Sequence, residues 1–128
     1  MSKREAPLPT DKLSDVIVKG MQDKKAIDIR VLDLRKVTNA VADFFVVCTG
    51  SSDTHMEGIA DSIETKVYSN DEQNPWHKEG RNNKSWVLLD YVDVVVHIFS
   101  NDSRIFYGIE DLWADAEITE VENSAVII

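Results

Sequence analysis

Residues 86–99 read Trp86-Val-Leu-Leu-Asp90-Tyr91-Val92-Asp93-Val-Val-Val-His97-Ile-Phe99. Two runs rich in β-branched and aromatic residues flank an Asp-Tyr-Val-Asp centre, the pattern of a β-hairpin. With Tyr91 and Val92 as the loop residues, Asp90 pairs with Asp93, Leu88 with Val95, and Trp86 with His97. Alternation along each strand sorts the side chains onto two faces. One carries Val87, Leu89, Val94, Val96 and Ile98, a plain core lining. The other carries Trp86, Leu88, Asp90, Asp93, Val95, His97 and Phe99, which is neither clean core nor clean surface. Aromatic and aliphatic anchors among charges suit a recognition surface, because buried rings give affinity and charges set orientation. A sheet covered on both sides, with the aspartates merely flanking a turn, gives the same pattern. The hairpin alone leaves both readings open.

Working outward, Phe44-Phe45-Val46-Val47-Cys48 is apolar on both faces and reads as a central strand. It stops at Thr49-Gly50-Ser51-Ser52-Asp53, where Ser52, Asp53 and Thr54 are all good helix caps and Thr54 with Glu57 fits a capping box. Met56, Ile59, Ala60, Ile63 and Val67 form the apolar stripe of the helix that follows. Upstream, Leu13, Val16, Ile17, Gly20 and Met21 mark another helix over about residues 11 to 23. Ile27, Ile29 and Val31 then alternate with Asp28 and Arg30 as a strand with one wet face. Between residues 69 and 84 the chain is polar and turn-rich, with Trp76, His77 and Glu79 on a short edge strand. After the hairpin, Asn101, Asp102 or Ser103 caps a last helix with apolar positions Ile105, Phe106, Ile109, Leu112, Trp113 and Ala116. Helices and strands interleave, which predicts an α/β fold: a mixed five-stranded sheet with helices packed on it. We expect a flexible N-terminus over residues 1–10, one domain over 11–116 and an acidic C-terminal tail over 117–128.

Composition narrows the function classes. A chain of 128 residues with 43% hydrophobic and 29% charged residues is an ordinary single globular domain. Apolar stretches are too short for a transmembrane helix, and the basic residues near Met1 precede no signal-like apolar run. Cys48 lies in an apolar run and reads as a small buried side chain of a reducing, cytoplasmic compartment. Fourteen basic residues against 23 acidic ones give a net charge of −9, with Lys and Arg scattered rather than clustered. Phosphate-based nucleic-acid binding needs a basic face, so no direct nucleic-acid binding is expected. An acidic domain suits a basic protein partner, although acidity also serves plain solubility.

Chemistry finds little purchase. Gly50-Ser51 between a strand and a helix invites a phosphate-binding reading, and Asp90 with Asp93 could share a metal. A nucleotidyltransferase needs an Asp-x-Asp pair on a strand after its Gly-Ser, and this chain has none. His55, His77 and His97 lack metal-ligand spacing, and no Gly-x-Ser-x-Gly elbow occurs. No enzyme, cofactor or metal site is expected.

Three segments taken together resemble the ribosomal silencing factor, or Iojap, family. They are Ala42-Asp-Phe-Phe-Val-Val-Cys-Thr-Gly-Ser-Ser-Asp-Thr54, His77-x-Glu79-Gly80, and the hairpin from Trp86 to Phe99; Tyr107-x-x-Glu110-x-Leu112-Trp113 fits as well. The resemblance covers about residues 12 to 114. It implies a nucleotidyltransferase-like fold without the catalytic carboxylates, and binding to the large ribosomal subunit through ribosomal protein L-fourteen. Bound there, such a factor blocks the small subunit and lowers translation under nutrient limitation. Homodimers are common among such proteins. Val92 departs from the family pattern, which has glycine there and so eases a positive φ in the turn. The expected partner-binding residues are Trp86, Leu88, Asp90, His97 and Phe99, with Tyr91 and Glu79 nearby.

Overall fold

The computed structural model describes residues 8–80 and 85–122. In it the hairpin forms from β4 (Trp86–Asp90) and β5 (Val94–Phe99), but with Trp86 opposite Phe99, Leu88 opposite His97 and Asp90 opposite Val95. Each cross-strand partner is therefore displaced by two residues from the expected pairing. Tyr91 N–H donates to Val94 O at 2.9 Å, so Val92 and Asp93 form the tip, and Val92 takes φ +76°. Two further contacts hold the tip in this register. The Asp90 carboxylate accepts Val92 N–H at 2.7 Å, and Asp93 O accepts Asp43 N–H at 2.8 Å. Because the displacement is even, the face assignment survives intact.

The preceding elements are α1 (Thr10–Asp23), β1 (Ile27–Asp33), β2 (Phe44–Thr49), α2 (Asp53–Asp71) and β3 (His77–Glu79). After β5 come α3 (Asn101–Tyr107), α4 (Ile109–Leu112) and β6 (Glu117–Val121). The sheet has six strands in the order β3-β4-β5-β2-β1-β6. Among the described residues only β2 and β5 run parallel, side by side at the centre. Both are buried along their whole length, as the doubly apolar run from Phe44 predicts. The sixth strand corrects the expected count: residues read as the start of an acidic tail pair antiparallel with β1, from Ile29↔Val121 to Asp33↔Glu117. This edge strand is mostly exposed, so its polar composition hides it, and Arg30 offsets part of its charge through Glu120 at 3.5 Å.

Helices α1 and α2 cover one face. Leu13, Ile17 and Met21 of α1 and Met56, Ile59, Ile63 and Val67 of α2 bury against Val46, Val87, Leu89, Val96 and Ile98. The helices touch closely at Gly20, where a Cβ would lie 3.0 Å from the Ile63 Cα. Ser52, rather than Thr54 with Glu57, caps α2 by accepting His55 N–H at 3.0 Å. At the N-terminus, Leu8 N–H donates to the buried Asp71 at 3.0 Å and Thr10 Oγ1 donates to Asp43 at 3.1 Å.

The other face is covered over only part of its area. Leu32, Leu34, Phe45, Val47, Val95, Phe99 and Ile109 form a second, smaller core, flanked by Trp86, Leu88 and Trp113. The last helix expected from the sequence is two short ones. Ser100 caps α3, and Gly108 at φ +56° ends it and starts α4 in a new direction. Glycine takes this left-handed conformation at no steric cost.

Candidate partner-binding face

The hairpin's second face is covered in one part and partly open in another. Phe99 is fully buried, and His97 and Val95 are 3% and 8% exposed, covered from α3, α4 and residues 34–42. Towards β3 the cover ends. Trp86, Leu88 and Asp90 are half-buried there, and His77 to Glu79 on the edge strand are exposed. Tyr91 sits apart from these, buried in the core beneath α1 and α2.

Of the expected residues, then, β4 brings Trp86, Leu88 and Asp90 to one partly open strip, and β3 adds Glu79 opposite Leu88. His97, Phe99 and Tyr91 lack the surface to touch a partner directly. Glu79 accepts from His77 Nε2 at 2.7 Å and its side chain remains 65% exposed. Asp90 spends one carboxylate oxygen on the hairpin tip.

Trp86 rests on an aromatic shelf. Its ring lies 5.0 Å from Phe99 and 4.6 Å from Tyr107, centroid to centroid, and its Nε1–H donates to His97 Nδ1 at 3.1 Å. Burial pushes the His97 imidazole down to about 4, so it is neutral near pH 7 and can accept this bond. Beyond Tyr107 the strip continues to Phe106, whose ring lies 5.0 Å from that of Tyr107 and which is 80% exposed; Ile105 and Leu112, elsewhere on α3 and α4, are each 75% exposed. Sequence reasoning read Ile105, Phe106 and Leu112 as apolar positions of a single helix. A signal against one buried stripe was present: Ile105, Phe106 and Tyr107 are consecutive and fan across roughly 200° of a helix, so one face cannot bury them all.

A clamp fixes α3 and α4 beneath this surface. Arg104 donates from Nε and Nη2 to the two Glu110 oxygens at 2.9 and 3.0 Å, and from Nη1 to Asp28 O at 2.8 Å and Thr49 Oγ1 at 2.9 Å. Arg30 reaches the same Glu110 at 2.8 Å. Hydrogen bonding from Arg104 holds the Glu110 carboxyl below its ordinary value. With four of its five N–H donors committed, Arg104 braces α3 and α4 and leaves no free fork for an outside anion.

The competing nucleotide site does not assemble. Gly50-Ser51 follows the end of β2, whereas Asp90 and Asp93 lie at the start of β5, and the two strands are parallel and in register from Phe44↔Val94 to Thr49↔Phe99. The groups are thus separated by the length of a strand, roughly 15–20 Å. Three amides around the start of α2 are engaged within the fold: Gly50 with Phe99 O at 2.9 Å, Ser51 with His55 Nδ1 at 2.8 Å, and His55 with Ser52 Oγ. Among the described residues no helix is long and apolar enough to cross a membrane.

The chain is similar to known proteins over most of its length. A family model described as "Ribosomal silencing factor during starvation" matches residues 7–127. The ribosomal silencing factor RsfS of Bacillus subtilis is 40% identical over 100 residues, 78% of this chain and 83% of that protein. RsfS of Halalkalibacterium halodurans is 35% identical over 115 residues, 90% of this chain and 97% of that one. A crystal structure of a protein from Chromobacterium violaceum superposes with a TM-score of 0.79 at 29% identity, covering 92% of this chain and 97% of the other.

Proposed function

The chain belongs to the ribosomal silencing factor family, and from that premise we propose that it binds the large ribosomal subunit through ribosomal protein L-fourteen. There it obstructs the small subunit and represses translation when nutrients are scarce, acting in the cytoplasm as a regulator without catalysis. The observation that carries this reading is the strip from Glu79 across Leu88 and Trp86 to Phe106. It offers half-buried apolar anchors on a rigid sheet, acidic groups beside them, and a net charge of −9 that favours a basic protein over ribosomal RNA. Trp86 and Leu88 bury against the partner, Phe106 extends the contact, and Asp90 and Glu79 meet Lys or Arg side chains.

Titration calorimetry against purified ribosomal protein L-fourteen tests it. Trp86→Ala should weaken binding by about 2 kcal/mol, roughly 30-fold. Because Trp86 also flanks the smaller core, its truncation costs stability too. Phe106→Glu and Glu79→Lys change exposed side chains, and each should weaken binding without moving the unfolding midpoint. Wild-type affinity in all three variants would refute the assignment of this face.

A further inference from the structure

His97 lies on β5 between Leu88 of β4 and Val47 of β2. Its imidazole is boxed by rings, with Phe45 edge-on at 4.6 Å and Phe99 nearly parallel at 6.0 Å. An indole N–H can only donate, so His97 Nδ1 is the acceptor of the 3.1 Å bond from Trp86 and the imidazole proton sits on Nε2. That Nε2–H is buried and has no hydrogen-bond partner among the described residues. Such a group destabilises a fold, and an aliphatic side chain would fill the same space without the penalty. Packing alone therefore does not account for a histidine here. What the imidazole contributes that a leucine could not is the acceptor for Trp86. Ring stacking is weakly directional and by itself does not fix how an indole lies on its shelf. A directed bond at Nε1, added to the stack on Phe99 and Tyr107, selects one orientation.

We infer that His97 is a positioning residue: it holds the Trp86 indole in the single orientation in which the docking face meets its partner, without touching that partner. This rests on the reading of Trp86 as a contact residue, and it gives His97 a role in that site compatible with its burial.

The test compares His97→Asn, His97→Gln and His97→Leu with Trp86→Ala in binding to purified large ribosomal subunits, with unfolding midpoints measured alongside. An asparagine places an acceptor oxygen near the position of Nδ1, whereas a glutamine places it near Nε2. His97→Asn should bind within about threefold of wild type. His97→Leu and His97→Gln should lose tenfold or more, and His97→Leu should be at least as stable as wild type. A purely structural role would move stability and binding together, and equal binding by all three His97 variants overturns the inference while leaving Trp86 as a contact. Wild-type binding by Trp86→Ala removes Trp86 as a contact and this inference with it, and the docking reading as a whole falls only if Phe106→Glu and Glu79→Lys also bind like wild type. If the leucine variant does not fold, exchange of the Trp86 indole proton in the wild-type protein decides: slow exchange is expected, and exchange as fast as that of the exposed Trp76 overturns the proposal.

Discussion

At Val92 a β-branched residue occupies φ +76°, a conformation that costs such side chains about 1–3 kcal/mol. The side chain is 56% exposed, so it recovers little by packing. Val92→Gly should therefore raise stability by about 1 kcal/mol, net of the extra entropy of glycine in the unfolded chain; urea denaturation measures it, and a loss of stability would contradict the strain. His97 sets a pH dependence of definite sign. Its pKa falls from an ordinary 6.5 to about 4 on folding, so between those values the unfolded chain binds more protons than the native one. Stability should then decline by roughly 1.4 kcal/mol per pH unit as pH is lowered from about 6.5 towards 4, and be flat above. His97→Asn should flatten that limb in urea titrations at successive pH values, and a limb unchanged in the variant would assign it elsewhere. Legibility at this scale was uneven. Side-chain faces follow from alternation, and the glycine expected at position 92 flags the turn. The hairpin register does not follow, because the contacts that fix it come from Asp43 and from the Asp90 carboxylate, which strand patterning does not contain.

Among the elements, α1, β2, α2 and the hairpin strands were readable because each buries a regular stripe. The segment after Ser100 was not. Gly108 divides it, and what holds its pieces in place is the ion-paired clamp of Arg104, Glu110 and Arg30 rather than an apolar stripe. Arg104 and Glu110 are nearly enclosed, with side chains 10% and 16% exposed, so removing one strands the other. Arg104→Ala should cost about 3 kcal/mol and loosen α3 and α4, seen as faster amide exchange across Asn101–Leu112. A variant as stable as wild type would show the clamp to be ornamental. Glu110 adds a second acid-sensitive contribution. Its folded pKa lies below the ordinary 4.5, so the stabilisation is whole above that pH and is lost as pH falls through the folded value. On the opposite face, Gly20→Val would push α1 away from the Ile63 backbone and should destabilise the domain by about 2 kcal/mol. Strand β6 escaped sequence reading because an edge strand buries little, and because its glutamates outweigh Ile118 and Val121 in any reading by composition.

Among the described residues the molecule is a three-layer arrangement with unequal covers: two long helices on one face of the sheet, and on the other a thin cap that covers β4 only in part. That asymmetry leaves the strip at Trp86 open on a rigid support. Family and function class were legible from the sequence, since three motifs recur in order. The division of the site into contact residues and buried supports was not, because alternation puts Trp86, His97 and Phe99 on one face without saying how far the cap extends. A net charge of −9 makes association with a basic partner sensitive to ionic strength: affinity should fall as salt rises, mostly through slower association, and salt-independent binding would contradict electrostatic steering. The most direct measurement is a subunit-joining assay on sucrose gradients, with purified large and small ribosomal subunits and this protein in excess. The account predicts that the protein travels with the large subunit and that joined ribosomes diminish, with both effects lost in Phe106→Glu and Trp86→Ala. Full joining in the presence of protein that still travels with the large subunit would contradict it.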